Sequence, residues 1–193
     1  KKIIYAPHHS LKGTNGDHIE YATFLELGEA MLQLAKKYSD ETQWAFKPHP
    51  TLYPKLLKIW GKEKTDNYYN EWRDMENSQL ELGEYYGLFK HSDAMIHDSC
   101  SFIIEYMYMN LPVMFLEESP RTPEQLQAGP FGYEAYGSHY HGSSALDIEN
   151  FILSVINGKD PKLAERRSYC QLYLNLDSKK TACENIITEI LNN

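Results

Sequence analysis

Cysteine is scarce in this 193-residue chain. The three present (Cys100, Cys170 and Cys183) are an odd number without a CxxC pair. That pattern fits reduced thiols in a cytosolic protein better than a disulfide framework. Long apolar runs are also missing. The longest, such as Leu111 to Leu116, are strand-sized and far short of the ~20 residues that span a bilayer, and no signal-peptide pattern is present. There is no Lys/Arg block, and the net charge is −8, which argues against an extended nucleic-acid footprint. A nucleotide or nucleotide-sugar stays open, because a phosphate pocket needs only local donors. Helical His-x-x-x-His spacing and dense carboxylate clusters are absent. His97 and Asp98, even taken with His8 and His9, therefore do not predict a metal centre. Repeats, linkers and low-complexity segments are absent too.

What is present is ordinary globular composition, 42% hydrophobic and 24% charged, enough for one good-sized core. Residue 1 leads straight into an apolar segment. The expectation is one domain over 1–193 that forms a piece of a longer protein. Strand-like and helix-like segments alternate. Ile3 to Ala6, Gln43 to Lys47, Ala94 to His97 and Leu111 to Leu116 read as buried strands, with a further short one near Leu80 and Leu82. Tyr21 to Tyr38 carries a 3.6-period stripe (Phe24, Leu27, Met31, Leu34, Ala35) and predicts a helix. Further helices are predicted over Thr51 to Trp60, Lys62 to Met75, Glu84 to Lys90, Phe102 to Met109, Leu146 to Ile156, Pro161 to Leu174 and Lys180 to Leu191. Residues 10–20 read as a loop. So does Glu117 to Ser143, with four Gly, three Pro and one short helical piece at Glu124 to Gln127. A loop that long is usually functional or mobile. The alternation argues for an α/β, Rossmann-like, doubly wound and mostly parallel sheet.

Ligands of such sheets bind outside the carboxyl ends of the strands. Pro7-His8-His9-Ser10, Lys47-Pro48-His49, His97-Asp98-Ser99-Cys100-Ser101 and Glu117-Glu118-Ser119 all fall at that edge. The last but one is the most informative, a strand stopping at small hydroxyl residues before an apolar helix. The first N–H groups of such a helix lack intrahelical partners and favour an anion. Together these segments predict a pocket for a phosphorylated ligand.

Three segments in order carry a resemblance: Ile3-Ile-Tyr-Ala-Pro7, Phe46-Lys-Pro-His49, and Leu88-Phe-Lys-His-Ser-Asp-Ala-Met-Ile-His-Asp-Ser-Cys-Ser101 continuing through Glu105-Tyr106 to Leu111-Pro-Val-Met-Phe115. They resemble the C-terminal half of the CDP-glycerol glycerophosphotransferase family, the wall teichoic acid polymerases and their relatives. The resemblance implies one lobe of a GT-B architecture that binds a nucleotide-diphospho donor such as CDP-glycerol. It needs no cofactor or metal. Its partners would be an N-terminal lobe and a polymer acceptor at a membrane surface, in an enzyme that is cytoplasmic or peripheral at the inner face of the membrane. By the same resemblance His49 matches a catalytic histidine. Asp98, Ser101 and Glu105 match the family's Asp, Ser and following acidic residue. Ser99 and Cys100 stand where the family usually has Tyr and Ser, and His8-His9-Ser10 replaces a segment usually carrying an arginine.

The donor-binding candidates are thus Lys47, Asp98, Ser99, Ser101, Glu105 and His8, with His49 catalytic. Each has a plainer alternative. Ser101 can cap its own helix, and Asp98 can tie down its turn. Glu105 can pair with a lysine, His49 can cap the following helix, and Lys47 can point into solvent. Cys100 reads as a small filler, and the helix around Tyr68 and Trp72 as an acceptor-side insertion or as core. His139 and His141 contact a ligand or lie on a surface loop. The rival function is a non-catalytic nucleotide-sugar-binding or scaffold module. A free-standing nucleotide-sugar epimerase shares the fold but needs its own complete active site.

Overall fold

A computed structural model describes residues 1–12, 22–126, 129–174 and 180–192. Six strands form one sheet in the order 3-2-1-4-5-6: β1 (Lys2–Ala6), β2 (Gln43–Phe46), β3 (Ser78–Leu80), β4 (Ala94–His97), β5 (Val113–Leu116) and β6 (Tyr140–Gly142). Every pairing is parallel. This is the doubly wound Rossmann-like arrangement, whose strand order reverses at β1 and β4.

The strands are buried on both faces, so successive residues feed two separate cores. Ile3 and Tyr5 join Ala94, Ile96, Met114 and Leu116 on one face. Ile4 and Ala6 join Met95, Val113 and Phe115 on the other. Helices α1 (Phe24–Lys37), α2 (Leu52–Trp60), α3 (Lys62–Asp74) and α8 (Ala145–Ile156) bring most of the remaining side chains to the first core. Gly61, with φ +79° between α2 and α3, makes the reversal that lets both helices pack there. The aromatic helix α3 is core: Trp72 is fully buried and stacks on Phe46 with ring centres 5.1 Å apart. The second face is covered by α4 (Tyr86–His91), α5 (Phe102–Glu105), α6 (Pro123–Leu126), α7 (Gly129–Gly137) and α9 (Leu163–Tyr169), and α10 (Ala182–Asn192) ends the described chain. No helix among the described residues is long and apolar enough to cross a membrane.

Three expectations change. The stretch 117–143 is not one loop, because it holds α6, α7 and the edge strand β6. A three-residue strand rich in Gly and His carries no alternation to read. Leu82 lies beyond β3 and is exposed. The helix expected over Phe102 to Met109 is a single α-turn, α5, continuing as a 3-10 turn over Tyr106–Met109 that stops at the left-handed Asn110. The loop 10–20 and the start of the helix expected from Tyr21 fall largely outside the described residues.

Candidate functional site

The backbone pairing of β1 and β2 runs on past their ends. The Lys47 N–H donates to the Tyr5 carbonyl at 2.8 Å and the His49 N–H to the Pro7 carbonyl at 3.0 Å. Residues that follow the two strands therefore sit side by side, and the segment after β4 lies on their other flank. Between them opens a cleft of about 330 Å³, lined by His8, Lys47, His49, Tyr85, Ser99 and Ser101 among others. It stands at the carboxyl edge, at the point where the strand order reverses. A larger depression of about 580 Å³ lies at the amino edge, around Lys1, Asp40 and Gln43, where this fold does not place ligands.

Lys47 is 7% exposed, and no carboxylate comes within ion-pair distance of its ammonium among the described residues. Burial lowers its pKa against the opposing pull of Glu81 and Glu84. The Tyr85 ring centre lies 6.0 Å from Nζ. A largely buried lysine without a paired carboxylate, lining an open cleft, favours an anionic ligand.

Three imidazoles meet above it. His9 packs against His8 at 4.2 Å and against His49 at 4.1 Å between ring centres, and the three offer nitrogens within 4.8 Å of one another, a spacing that a metal ion could draw together. Their hydrogen bonds favour a different ligand. His49 Nδ1 accepts from the Thr51 N–H at 3.2 Å, and His8 Nδ1 from the Ser10 N–H at 3.3 Å. His9 Nδ1 faces the Lys55 ammonium at 3.1 Å. A nitrogen that accepts carries no proton, so each neutral ring holds its proton on Nε2 and presents a donor there. Metal ligation through Nε2 would need the opposite tautomer beside two lysines. The donor set fits an anion. Burial, with His9, Lys47 and Lys55 nearby, drops the His49 pKa to about 4, so the ring is neutral at pH 7.

The turn 98–101 closes the cleft. Ser101 has helical backbone angles and its hydroxyl does not cap α5. It lies instead 3.3 Å from the Ser99 hydroxyl, and both residues line the cleft. Because α5 is so short, the macrodipole expected at Ser101 is small. Asp98 is buried beneath the turn and does not line the cleft. Its carboxylate accepts from the His8 N–H at 2.5 Å, the Thr23 N–H at 2.8 Å and the Thr23 hydroxyl at 3.2 Å. Glu105 stands one layer back and accepts from the Tyr85 hydroxyl at 2.7 Å. Sequence reasoning thus brought His8, Lys47, His49, Ser99 and Ser101 to one place. It placed His9 at this edge without a ligand role, and it missed Lys55 and Tyr85. Glu117 is buried away from the cleft, accepting from the Tyr136 hydroxyl and bonded to His141 Nδ1 at 2.6 Å. His141 therefore serves Glu117, and His139 is fully buried.

Residues 1–191 match the family of CDP-Glycerol:Poly(glycerophosphate) glycerophosphotransferases. The chain belongs to this family. Among curated proteins none matches it. Among solved structures it is similar to a UDP-GlcNAc 2-epimerase from Neisseria meningitidis bound to UDP-GlcNAc, with a TM-score of 0.57 and 18% identity over 100% of this chain and 44% of that one. It is also similar to S. aureus MnaA with UDP (TM-score 0.52, 16% identity, 88% and 39% of the two chains). A third is the Methanocaldococcus jannaschii UDP-GlcNAc 2-epimerase with UDP-GlcNAc and UDP (0.51, 16%, 89% and 45%). At these identities the likeness is one of fold, and the chain spans less than half of each neighbour.

The buried ionisable groups of this family member set its acid response. Burial lowers the pKa of His97, and drops that of His139 to about 3. Below the unfolded value near 6.5 the unfolded chain gains protons that the native rings do not, so stability falls as pH drops. Burial raises Asp98 to about 6, which works the other way, since its ionisation penalty fades on acidification. The two histidines outweigh the one aspartate. With the half-buried His49 acting in the same sense, a net loss of roughly 2–4 kcal/mol between pH 7 and pH 5 is expected in denaturant unfolding, and a flat or rising profile would contradict it.

Proposed function

We propose that this domain is the donor-binding lobe of a transferase that moves glycerol phosphate, or a related group, from a CDP-linked or other nucleotide-linked donor to a cell-surface polymer acceptor. Family membership supports the reaction class, and the neighbours crystallised with UDP or UDP-GlcNAc support a nucleotide-diphospho ligand on this fold. The observation that carries the reading is Lys47, a largely buried lysine that lines the cleft at the strand-order reversal with no carboxylate in ion-pair contact among the described residues. In this reading Lys47 and the imidazole N–H donors hold the diphosphate. The Ser99 and Ser101 hydroxyls supply further donors, and Glu105 acts through Tyr85. His49 stabilises charge on the leaving phosphate, as a preorganised donor in a partly dehydrated cleft can. The chain carries no complete acceptor site in this scheme, and a second lobe of the full enzyme, working at the inner membrane face, supplies it.

The test is calorimetric titration of the chain with CDP-glycerol, CMP, UDP-glucose and GDP-mannose. Cytidine-selective binding, weakened roughly tenfold by Lys47→Met and severalfold by Ser101→Ala, is the expected result. Preference for another base would keep the lobe and change the donor. Unaltered affinity in Lys47→Met would remove Lys47 from the site.

A further inference from the structure

Two fully buried histidines outside the cleft lining have complementary, unsatisfied nitrogens. His97 ends β4, directly before the turn 98–101. Its Nδ1 accepts from the Ser99 N–H at 3.2 Å, so the neutral ring carries its proton on Nε2. His139 stands just before β6. Its Nδ1 lies 2.8 Å from the Ala135 carbonyl, which can only accept, so this ring carries its proton on Nδ1 and a lone pair on Nε2. Both Nε2 atoms are buried without a hydrogen-bond partner. The rings meet edge to face at 5.5 Å between centres, and the nearby cations Arg166 and Lys162 oppose a further positive charge on His139. One ring thus carries a donor and its neighbour an acceptor, each buried and unmet where the two rings pack edge to face, and a buried polar atom left unpaired is costly.

We propose that His97 and His139 form a buried imidazole–imidazole hydrogen bond, Nε2–H of His97 to Nε2 of His139, that makes His139 a positioning residue for the cleft. The pair runs from the Ala135 carbonyl in α7 through both rings to the Ser99 N–H, and so to the two serine hydroxyls. The placement of α7 thereby sets the turn that walls the ligand site. The hydrogen bond stands on the two tautomers alone, and only its effect on binding rests on the function proposed above.

The deciding experiment is a long-range proton–nitrogen correlation spectrum of the imidazoles in the ¹⁵N-labelled chain at pH 7. The expected spectrum shows His97 protonated on Nε2, His139 protonated on Nδ1, and a scalar coupling between the two Nε2 nuclei. The same tautomer on both rings, a charged ring, or no coupling would overturn the pair. Each of these readouts is independent of any ligand, so the spectrum decides the pair even in a chain that fails to bind CDP-glycerol. Where CDP-glycerol binds, His139→Leu should weaken it roughly tenfold, with loss of the coupling and a shift of the His97 resonances. His139→Gln, which keeps an acceptor there, should stay within about threefold of the parent. Equal binding by all three forms would deny His139 its positioning role, and so would equal losses in both variants. If His139→Leu does not fold, the parent spectrum and the His139→Gln affinity decide.

Discussion

His49→Ala is expected to reduce turnover of the full enzyme by at least about a hundredfold, the usual scale for removing a group that acts on the reacting atoms. The fold should survive. His49 is half-buried, and among the described residues its side chain bonds only to Thr51, at 2.8 Å to the hydroxyl and 3.2 Å to the N–H. The adjacent prolines fix the backbone there. The ring is neutral and presents an Nε2–H, so in this state it is a hydrogen-bond donor and no general base. A diphosphate arriving beside it would raise its pKa, so donor binding should be accompanied by proton uptake. Calorimetry in buffers of different ionisation enthalpy reads that uptake directly. Turnover of His49→Ala at the parent rate, with unchanged melting behaviour, would remove His49 from the chemistry.

Asp98→Ala is the second large effect, and it acts on the fold before the ligand. The carboxylate is 1% exposed and accepts from three donors on two loops, those of His8 and Thr23. Truncation would leave buried N–H groups unmet, at a cost of roughly 2–4 kcal/mol. It would also release the loop that carries His8 and His9 from the turn that carries Ser99. Denaturant unfolding should show the loss, and donor affinity should fall with it. An alanine variant within about 0.5 kcal/mol of the parent would show that these contacts are replaceable by solvent. Asp98→Asn keeps the volume but turns an amide donor toward at least one N–H, so it should recover only part of the stability.

The strands were legible because a parallel sheet covered on both faces must read as short apolar runs stopped by Pro, Asp or Ser. β1 stops at Pro7, β2 at Lys47-Pro48 and β4 at Asp98, while β5 stops at the carboxylates Glu117 and Glu118. β6 was not legible. It is an edge strand of Tyr140, His141 and Gly142 with no alternation of its own, placed by its pairing with Met114, Phe115 and Leu116. The 3-10 turn after α5 was hidden for a related reason. Phe102 to Met109 has the composition of a helix, and tertiary packing of Tyr106 and Met107 into the second core overrides the regular α-period.

The sequence by itself determined the class of fold, the edge of the sheet at which ligands sit, and the polar residues that reach that edge. These follow from local pattern, because apolar period and chain-breaking residues act over a few neighbours. Only the tertiary structure decided which of those residues share one cleft. It brought His8 and His9 from the end of one strand to His49 beyond the end of another, and set each ring's tautomer by a partner at Nδ1. It also placed Asp98 and Glu105 one layer behind the surface they had been expected to form. Proximity between distant segments depends on register and crossover, which no single stretch of sequence encodes.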